Sequence, residues 1–298
     1  MKASSAPHAV RRQRLSAHQL SPYLFVAPAV LYICAVTLIP VLMALPISFT
    51  NWSALSPKKT FVGVDNYVKL FNDKYFWSSS LTMAKFFIYV PLVMAVGLGA
   101  AMLLNTRIRG LKFFRVVFYS PVVTSTVAAA ILFDWFYQPT FGLFNAILNA
   151  VGLPGIGWIS NASTAVMSVI LFKIWKGFGA AMLIYLAGLQ DISGEIKEAA
   201  SIDGANGWQT FRHITFPMLK PAHTYLLLTN VIGVFMIFQE TYMLEGPLNS
   251  TQTIVNYIYE KGFQSFKMGY ACAMSFVLFL IVMVITVIQY KVTKMDVM

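Results

Sequence analysis

Six nearly uncharged apolar windows recur along the chain, and their length constrains the fold more than any other feature. An α-helix rises about 1.5 Å per residue, so about 20 residues cross the ~30 Å hydrocarbon core of a membrane. The windows are residues 23–49, 86–104, 116–133, 164–189, 225–244 and 270–290. They predict an all-α polytopic membrane protein with six transmembrane helices.

A cleaved signal peptide and a membrane β-barrel also contain apolar segments, but neither fits these windows. The first window far exceeds the ~7–15 residues of the apolar region of a signal peptide, so it is not expected to be cleaved. A membrane β-barrel would need segments of about 10 residues with alternating polarity, whereas these windows are continuously apolar. The whole chain has 58% hydrophobic residues, and membrane helices are the interpretation that fits these windows.

The net charge of +11 is explained by its placement along the chain. Lys and Arg concentrate in residues 1–20, in the loop after the second window, in residues 191–221 and in residues 291–298, while the alternate loops hold fewer. Cytoplasmic segments carry this excess in membrane proteins, so both termini are predicted to be cytoplasmic. The charge orients the protein in the lipid bilayer, and no nucleic-acid partner is expected.

The predicted organisation has four parts. A basic cytoplasmic tail covers residues 1–20, and the first transmembrane helix with its outer loop covers residues 21–79. A transmembrane domain follows over residues 80–290 and contains a polar cytoplasmic loop at residues 191–221, before a short tail at residues 291–298.

Catalytic and metal-binding patterns are missing from the sequence. Cys34 and Cys272 fall inside predicted helices, which excludes a disulfide framework and a cysteine-based metal site. The phosphate-loop, HExxH and GxSxG patterns do not occur. The histidines lie in the N-terminal tail or around the 191–221 loop rather than at membrane depth. We therefore expect neither an enzyme nor a bound cofactor or metal.

The polar loop at residues 191–221 predicts a helix-turn-helix. Ser193 suits the N-cap of a short helix, and Gly204 can adopt the left-handed conformation that ends it and turns the chain. One face of that helix presents Ile196, Ala199, Ala200 and Asp203 at helical spacing, and the two alanines would let a partner approach closely. A second short helix over residues 207–214 would end at Pro217 and Pro221. The residues alone also allow an amphipathic helix resting on lipid headgroups.

The segment EAASIDGANGWQTFRHITFPMLKP resembles the EAA loop of permease subunits of ATP-binding-cassette importers. The matching positions are Glu198, Ala199, Ala200, Asp203, Gly204, Ala205, Ile214, Pro217, Leu219 and Pro221. Four further segments are similar to carbohydrate-uptake permeases of the maltose and glycerol-phosphate group: FVGVDNYVKLF, LAGLQDISGEIKEAA, GPLNSTQTIVNYIYEKGF and GYACAMS. Glu245 departs from the glycine usual in that group before Gly246 and Pro247.

The resemblance implies a type I importer permease in the bacterial inner membrane. Such a permease pairs with a second, similar permease to form the path of a sugar, oligosaccharide or polyol phosphate. Two cytoplasmic ATPase subunits hydrolyse ATP, and an extracytoplasmic binding protein delivers the solute. The EAA loop joins the ATPases to the membrane helices, which implies coupling roles for Glu198, Ala199, Ala200, Asp203, Gly204, Ala205, Ile214 and Pro217. A self-sufficient secondary transporter is the alternative, and it would be expected to show repeats and broken helices.

Polar residues inside the predicted helices are candidates for the solute pathway, because they are costly in lipid. They are Lys173, Lys176, Asn230, Gln239 and Glu240, with Trp175, Phe238 and Tyr242 as aromatic neighbours that could stack on a sugar ring. Hydrogen bonding between helices is the alternative for each. Small residues at helical spacing, Gly97 with Ala101 and Gly177 with Ala181, predict close helix packing.

Lys173 and Glu240 are predicted to form an ion pair. The fourth helix runs inward and the fifth outward, so the two backbones differ in depth by about 8 Å at ~1.5 Å per residue. Helical side chains lean toward the N-terminus of their helix, which brings the two charged groups together. The alternative is that one or both face the second permease or water.

Overall fold

The structure is a computed structural model that describes residues 17–106 and 110–293. Within these ranges it is helical and has no strand, apart from one isolated bridge between Thr50 and Phe61. The helices are α1 (Ala17–Ile33), α2 (Ile39–Ser48), α3 (Asp65–Phe71), α4 (Lys74–Lys85), α5 (Tyr89–Leu104), α6 (Leu111–Val123), α7 (Thr126–Phe136), α8 (Leu143–Ala150), α9 (Ala162–Gln190), α10 (Gly194–Ile202), α11 (Gly207–Thr210), α12 (Phe216–Met218), α13 (Lys220–Phe235), α14 (Gln239–Met243), α15 (Ile254–Tyr259) and α16 (Met268–Thr293). Short π-helical turns join α1 to α2 and α11 to α12.

Four continuous helical stretches are long and apolar enough to cross a membrane. They are Tyr23–Ser48, Lys74–Leu104, Ala162–Gln190 and Met268–Val292. They agree with the first, second, fourth and sixth windows, although the second begins earlier than predicted. The Asp73 carboxylate accepts a hydrogen bond from the Tyr75 N–H at 2.9 Å and starts α4 there. Because α4 is polar and precedes the apolar α5, a search for apolar windows does not detect where this helical stretch begins.

The third window is broken, so the prediction of one continuous helix there is wrong. Its two halves, α6 and α7, meet at an angle of 96°. Pro121 lies near the end of α6 and removes a backbone donor, and Thr124 and Ser125 then take extended or non-helical conformations. The Ser125 hydroxyl accepts from the Ala128 N–H at 3.5 Å, which starts α7 in its new direction.

The fifth window is also broken, between α13 and α14. Side chains at the start of α15 donate to the carbonyl groups that the break exposes. The Thr253 hydroxyl donates to the Ile237 oxygen at 3.0 Å, and the Asn256 amide donates to the Phe238 oxygen at 3.4 Å. These contacts come from residues far along the chain, so local sequence does not predict the break. Six spans remain a prediction, since neither broken window is one continuous helix.

Helix α9 lies at the centre of the bundle, and the core forms around it. Ala165, Val169, Ile170, Phe172 and Met182 are buried along its length. A Cβ atom added to Gly97 of α5 would lie 2.6 Å from the Ala181 Cβ, so the two helices touch backbone to backbone. This confirms the predicted small-residue packing. By contrast, the apolar window of the first helix has none of its residues buried.

Candidate functional site

The 191–221 loop folds as the predicted helix-turn-helix in its first part. The Ser193 hydroxyl accepts from the Glu195 N–H at 3.2 Å and caps α10, and Gly204 has a φ of +82° after the helix ends. Asn206 and Gln209 then form a reciprocal capping box that starts α11. The turn that the sequence predicts at Gly204 is therefore confirmed.

The second part of the loop differs from the prediction. Pro217 and Pro221 do not end a helix, because each occupies the first turn of one, in α12 and α13. Proline is tolerated there, since the first helical N–H groups have no partner within the helix. The chain consequently runs from α11 into α13 through nearly continuous helical turns.

The exposed surface of the loop is smaller and more apolar than predicted. Glu198, Ala199, Asp203 and Gly204 are exposed and Pro217 is exposed, whereas Ala205 and Ile214 are half-buried. Ala200 is buried within the chain, so the expectation that both alanines face a partner is wrong for Ala200. Sequence reasoning missed Ile202 and Trp208, whose side chains are 86% and 66% exposed. Large apolar residues in a polar loop were the available signal.

The predicted ion pair between Lys173 and Glu240 is present. The Lys173 ammonium lies 2.9 Å from the Glu240 carboxylate, and the two side chains are 14% and 16% exposed. The Lys173 ammonium also lies 5.1 Å from the centre of the Tyr89 ring, within the range of a cation–π contact. The pair joins α9 to α14, the short helix beyond the break in the fifth window.

Lys176 lies one turn after Lys173 on α9 and contacts the other broken helix. Its ammonium donates to backbone oxygens of Pro121 at 3.0 Å and Thr124 at 2.7 Å, with the Val122 oxygen at 3.5 Å. These oxygens belong to the end of α6 and to the bend before α7. Two lysines of α9 therefore contact the two broken windows, Lys173 at α14 and Lys176 at the bend between α6 and α7.

The remaining pathway candidates separate into two groups. Trp175 packs against Phe133 and Phe172 at ring distances of 4.9 and 6.3 Å, which places it against the core. The Asn230 amide donates to the Leu226 oxygen of its own helix at 2.8 Å. Gln239 is exposed. The structure therefore places Trp175 and Asn230 in packing roles within this chain.

Phe238 and Tyr242 belong to a run of aromatic rings that extends into the next loop. Phe238 stacks on Tyr242 at 5.4 Å and meets Tyr259 at 5.1 Å, and Tyr259 stacks on Phe263 at 5.3 Å. Sequence reasoning missed Tyr259 and Phe263, because they lie outside the apolar windows. Their spacing of four residues on a helical turn was the available signal.

A polar cavity of about 440 Å³ opens beside this aromatic run. Tyr242 and Tyr259 form part of its wall, and Glu245, Gln252 and Glu260 add polar groups. Because α13 leads from the 191–221 loop to α14, the cavity lies at the opposite end of the bundle from that loop. The described residues contain no group of three or more His, Cys, Asp or Glu arranged to hold a metal.

This fold and its two ends define a membrane subunit of a transport system. The family described as binding-protein-dependent transport system inner membrane component matches residues 93–294. The chain belongs to this family and is the permease subunit of a binding-protein-dependent importer, as the EAA-like loop predicts. An enzyme and a self-sufficient secondary transporter are both set aside by this membership, although the broken helices alone would not have excluded the latter.

Relatives match over almost the whole chain. The lactose transport system permease protein LacF of Rhizobium radiobacter is 36% identical, and the match covers 92% of this chain and 94% of LacF. The arabinooligosaccharides transport system permease protein AraP of Bacillus subtilis (strain 168) is 33% identical, and the match covers 97% of this chain and 93% of AraP. A crystal structure of a bacterial ABC transporter involved in the import of the acidic polysaccharide alginate has a TM-score of 0.84 at 22% identity, covering 94% of this chain and 97% of its own. That likeness confirms the importer permease fold.

Proposed function

We propose that this chain is one half of the translocation path of an ATP-driven importer for a carbohydrate. The solute would be a sugar, an oligosaccharide or a polyol phosphate that an extracytoplasmic binding protein delivers. The 191–221 loop would couple this chain to a pair of ATPase subunits, and a second permease would complete the path. The transport names of LacF and AraP support the carbohydrate class.

The observation that carries the coupling role is the exposed surface of the 191–221 loop. The helix capped at Ser193 and the turn at Gly204 leave Glu198, Ile202 and Trp208 exposed, and the Trp208 ring contacts Phe211 of the same loop at 5.5 Å. Exposed apolar side chains grouped with charged ones are typical of a protein interface. The loop continues into α13, so a push on it would move the fifth helix as a rigid body.

Two further features support the partners and the solute class. The first helix has no buried residue in its apolar window, and although α2 packs against α16, most of its surface is left for lipid or for a second permease. At the other end, the rings of Tyr242 and Phe263 are 46% and 61% exposed beside the polar cavity. Aromatic faces combined with polar groups suit a sugar, which has apolar ring faces and hydroxyl edges.

Co-purification tests the assembly. An affinity-tagged chain extracted in mild detergent should bring down an ATPase and a second permease, identified by mass spectrometry. A chain that purifies alone and transports solute in proteoliposomes without ATP would overturn the proposal. The binding protein should then be screened by thermal shift against lactose, arabinooligosaccharides, maltose and glycerol phosphate, with amino acids as the contrasting class.

A further inference from the structure

Lys176 pairs with backbone carbonyl oxygens from inside a helix that is long and apolar enough to cross a membrane. The ammonium has three N–H donors and meets three backbone carbonyl oxygens, those of Pro121, Val122 and Thr124. An unpaired ammonium at membrane depth is costly, and such groups pair with opposite charges or with backbone carbonyls. Here the adjacent Lys173 takes Glu240, and Lys176 takes the backbone.

The end of α6 needs such a partner. The last four carbonyl groups of a helix have no intrahelical donor, and the helix dipole gives that end a partial negative charge. Pro121 removes one further donor from the last turn. Local hydroxyls cover part of this need: Ser120 donates to Val117 at 2.9 Å and Thr124 donates to Pro121 at 2.6 Å. Lys176 supplies the charge and the remaining donors.

Close helix packing brings Lys176 into reach. Gly179 lies three residues later on α9, and a Cβ atom there would collide with the Phe118 oxygen and approach the Tyr119 Cα to 3.1 Å. The absence of a side chain at Gly179 therefore lets α6 cross α9 almost at backbone contact. This crossing places the end of α6 beside the Lys176 side chain.

We propose that Lys176 is a positioning residue for transport: its ammonium acts as a tethered cation that binds the carbonyls at the end of α6 and sets the direction of α7. In broken membrane helices, unwound carbonyls can coordinate a free cation. In this chain the Lys176 ammonium, which is covalently attached to α9, takes the place of such a cation. The 96° bend then depends on one side chain of α9, the helix that also holds α14 through Lys173.

Chemical rescue tests this inference without knowledge of the solute. Cys34 and Cys272 are replaced by serine, and Ala129, which is buried near the start of α7, is changed to cysteine. The reaction of this new cysteine with a maleimide is followed in the detergent-purified importer. Lys176→Met should raise the labelling rate about tenfold, the size expected for losing charge-assisted hydrogen bonds. Lys85→Met, which removes an exposed lysine of α4, should leave it unchanged.

The identity of the rescuing ion distinguishes a bound ammonium from a general charge effect. Lys176→Ala should return toward the parent labelling rate in methylammonium chloride but not in tetramethylammonium chloride, which has the same charge and no N–H donor. Lys176→Arg should stay within about twofold of the parent, since guanidinium also donates. Equal rescue by both ions, or unchanged labelling in Lys176→Met, would overturn the inference.

Two further readouts keep the test decisive. If Lys176→Met does not fold, judged by size-exclusion chromatography, Lys176→Gln against Lys176→Arg replaces it, and equal labelling of these two variants contradicts the inference. The ratio of ATP hydrolysis with and without the binding protein should fall in Lys176→Met and recover in Lys176→Arg. Altered labelling with an unaltered ratio would make Lys176 structural only. The labelling does not depend on the proposed solute or partners.

Discussion

The Lys173 ammonium and the Glu240 carboxylate lie 2.9 Å apart and join the central helix α9 to α14, beyond the break in the fifth window. Both side chains are mostly buried, so removing either partner leaves the other charge without compensation. Breaking such a pair costs about 3–5 kcal/mol, whereas replacing both partners is often much less harmful. The contact thus joins α9 to α14 through a pair of opposite charges.

We expect Lys173→Met and Glu240→Gln each to lower thermal stability and transport more than the double variant does. The measurement is a double-mutant cycle on unfolding in detergent and on solute uptake. Lys261→Met is the control for the unfolding measurement: Lys261 pairs with its neighbour Glu260 at 2.7 Å and both are more exposed, and a surface pair contributes about 0–1 kcal/mol. Strictly additive losses in the cycle would rule out coupling between Lys173 and Glu240.

A second prediction concerns the turn of the 191–221 loop. Gly204 has a φ of +82°, a conformation that costs a β-branched residue about 1–3 kcal/mol. Gly204→Val should therefore release the ATPase subunits or uncouple ATP hydrolysis from uptake. Gly207→Val is the control, because an added Cβ atom there meets open space and Gly207 does not have a positive φ. Co-purified ATPase and uptake are measured, and equal values for the two variants would contradict the prediction.

The charge of the same loop gives a separate prediction. Glu198 is exposed on α10, next to the exposed Ala199. Glu198→Lys reverses a charge on the proposed docking surface, so it should weaken ATPase binding and uptake. The free energy of unfolding of the isolated chain should change by no more than about 0.5 kcal/mol. Pull-down of the ATPase subunits measures this effect. Undiminished ATPase binding and uptake would remove Glu198 from the interface.

Sequence patterns predicted the parts of this fold that local chemistry determines. Hydropathy located the apolar windows, and Ser193 with Gly204 predicted the cap and the turn of the loop. The Lys173–Glu240 contact was predictable too, because charged residues in apolar helices have few possible partners. In each case the residues that determine the feature are either adjacent in sequence or chemically obliged to meet.

Contacts with the backbone account for most of what the sequence did not predict. The break at residues 236–238 depends on Thr253 and Asn256 at the start of α15, and Lys176 binds carbonyl groups, which every residue possesses. Burial of Ala200 depends on how the loop folds against the bundle. None of these leaves a pattern in one sequence, because the partner is a main-chain atom or a distant surface.

Orientation in the membrane is the subject of the fourth prediction. The charge distribution predicts that reporter fusions near Asn206 lie in the cytoplasm and those near Lys59, Gly155 and Ser265 lie outside. Fusions at Arg109 and Met298 should also be cytoplasmic, and both positions lie outside the residues that the structure describes. Paired alkaline phosphatase and green fluorescent protein fusions measure this. An extracytoplasmic Asn206 would contradict the proposed ATPase coupling.

Asp73 is the basis of the last prediction, which concerns pH. One carboxylate oxygen accepts hydrogen bonds from the hydroxyls of Tyr257 at 2.7 Å and Tyr270 at 2.6 Å, while the other caps α4 through the Tyr75 N–H. Burial raises the pKa of Asp73, but these hydrogen bonds outweigh it and hold the pKa below the usual 3.8. The carboxylate thereby ties α4, α15 and α16 together in its ionised form.

A depressed pKa in the folded state means that the ionised carboxylate stabilises the protein above the ordinary Asp pKa and loses this effect as pH falls through the folded value. The purified chain should therefore have a higher melting temperature than Asp73→Asn at pH 7, and the difference should shrink below roughly pH 4. The double variant Tyr257→Phe with Tyr270→Phe keeps the carboxylate and removes two donors, so its own difference from Asp73→Asn should be smaller at pH 7. A melting-temperature difference between the parent chain and Asp73→Asn that stays constant from neutral to acidic pH would show that ionised Asp73 does not stabilise this junction.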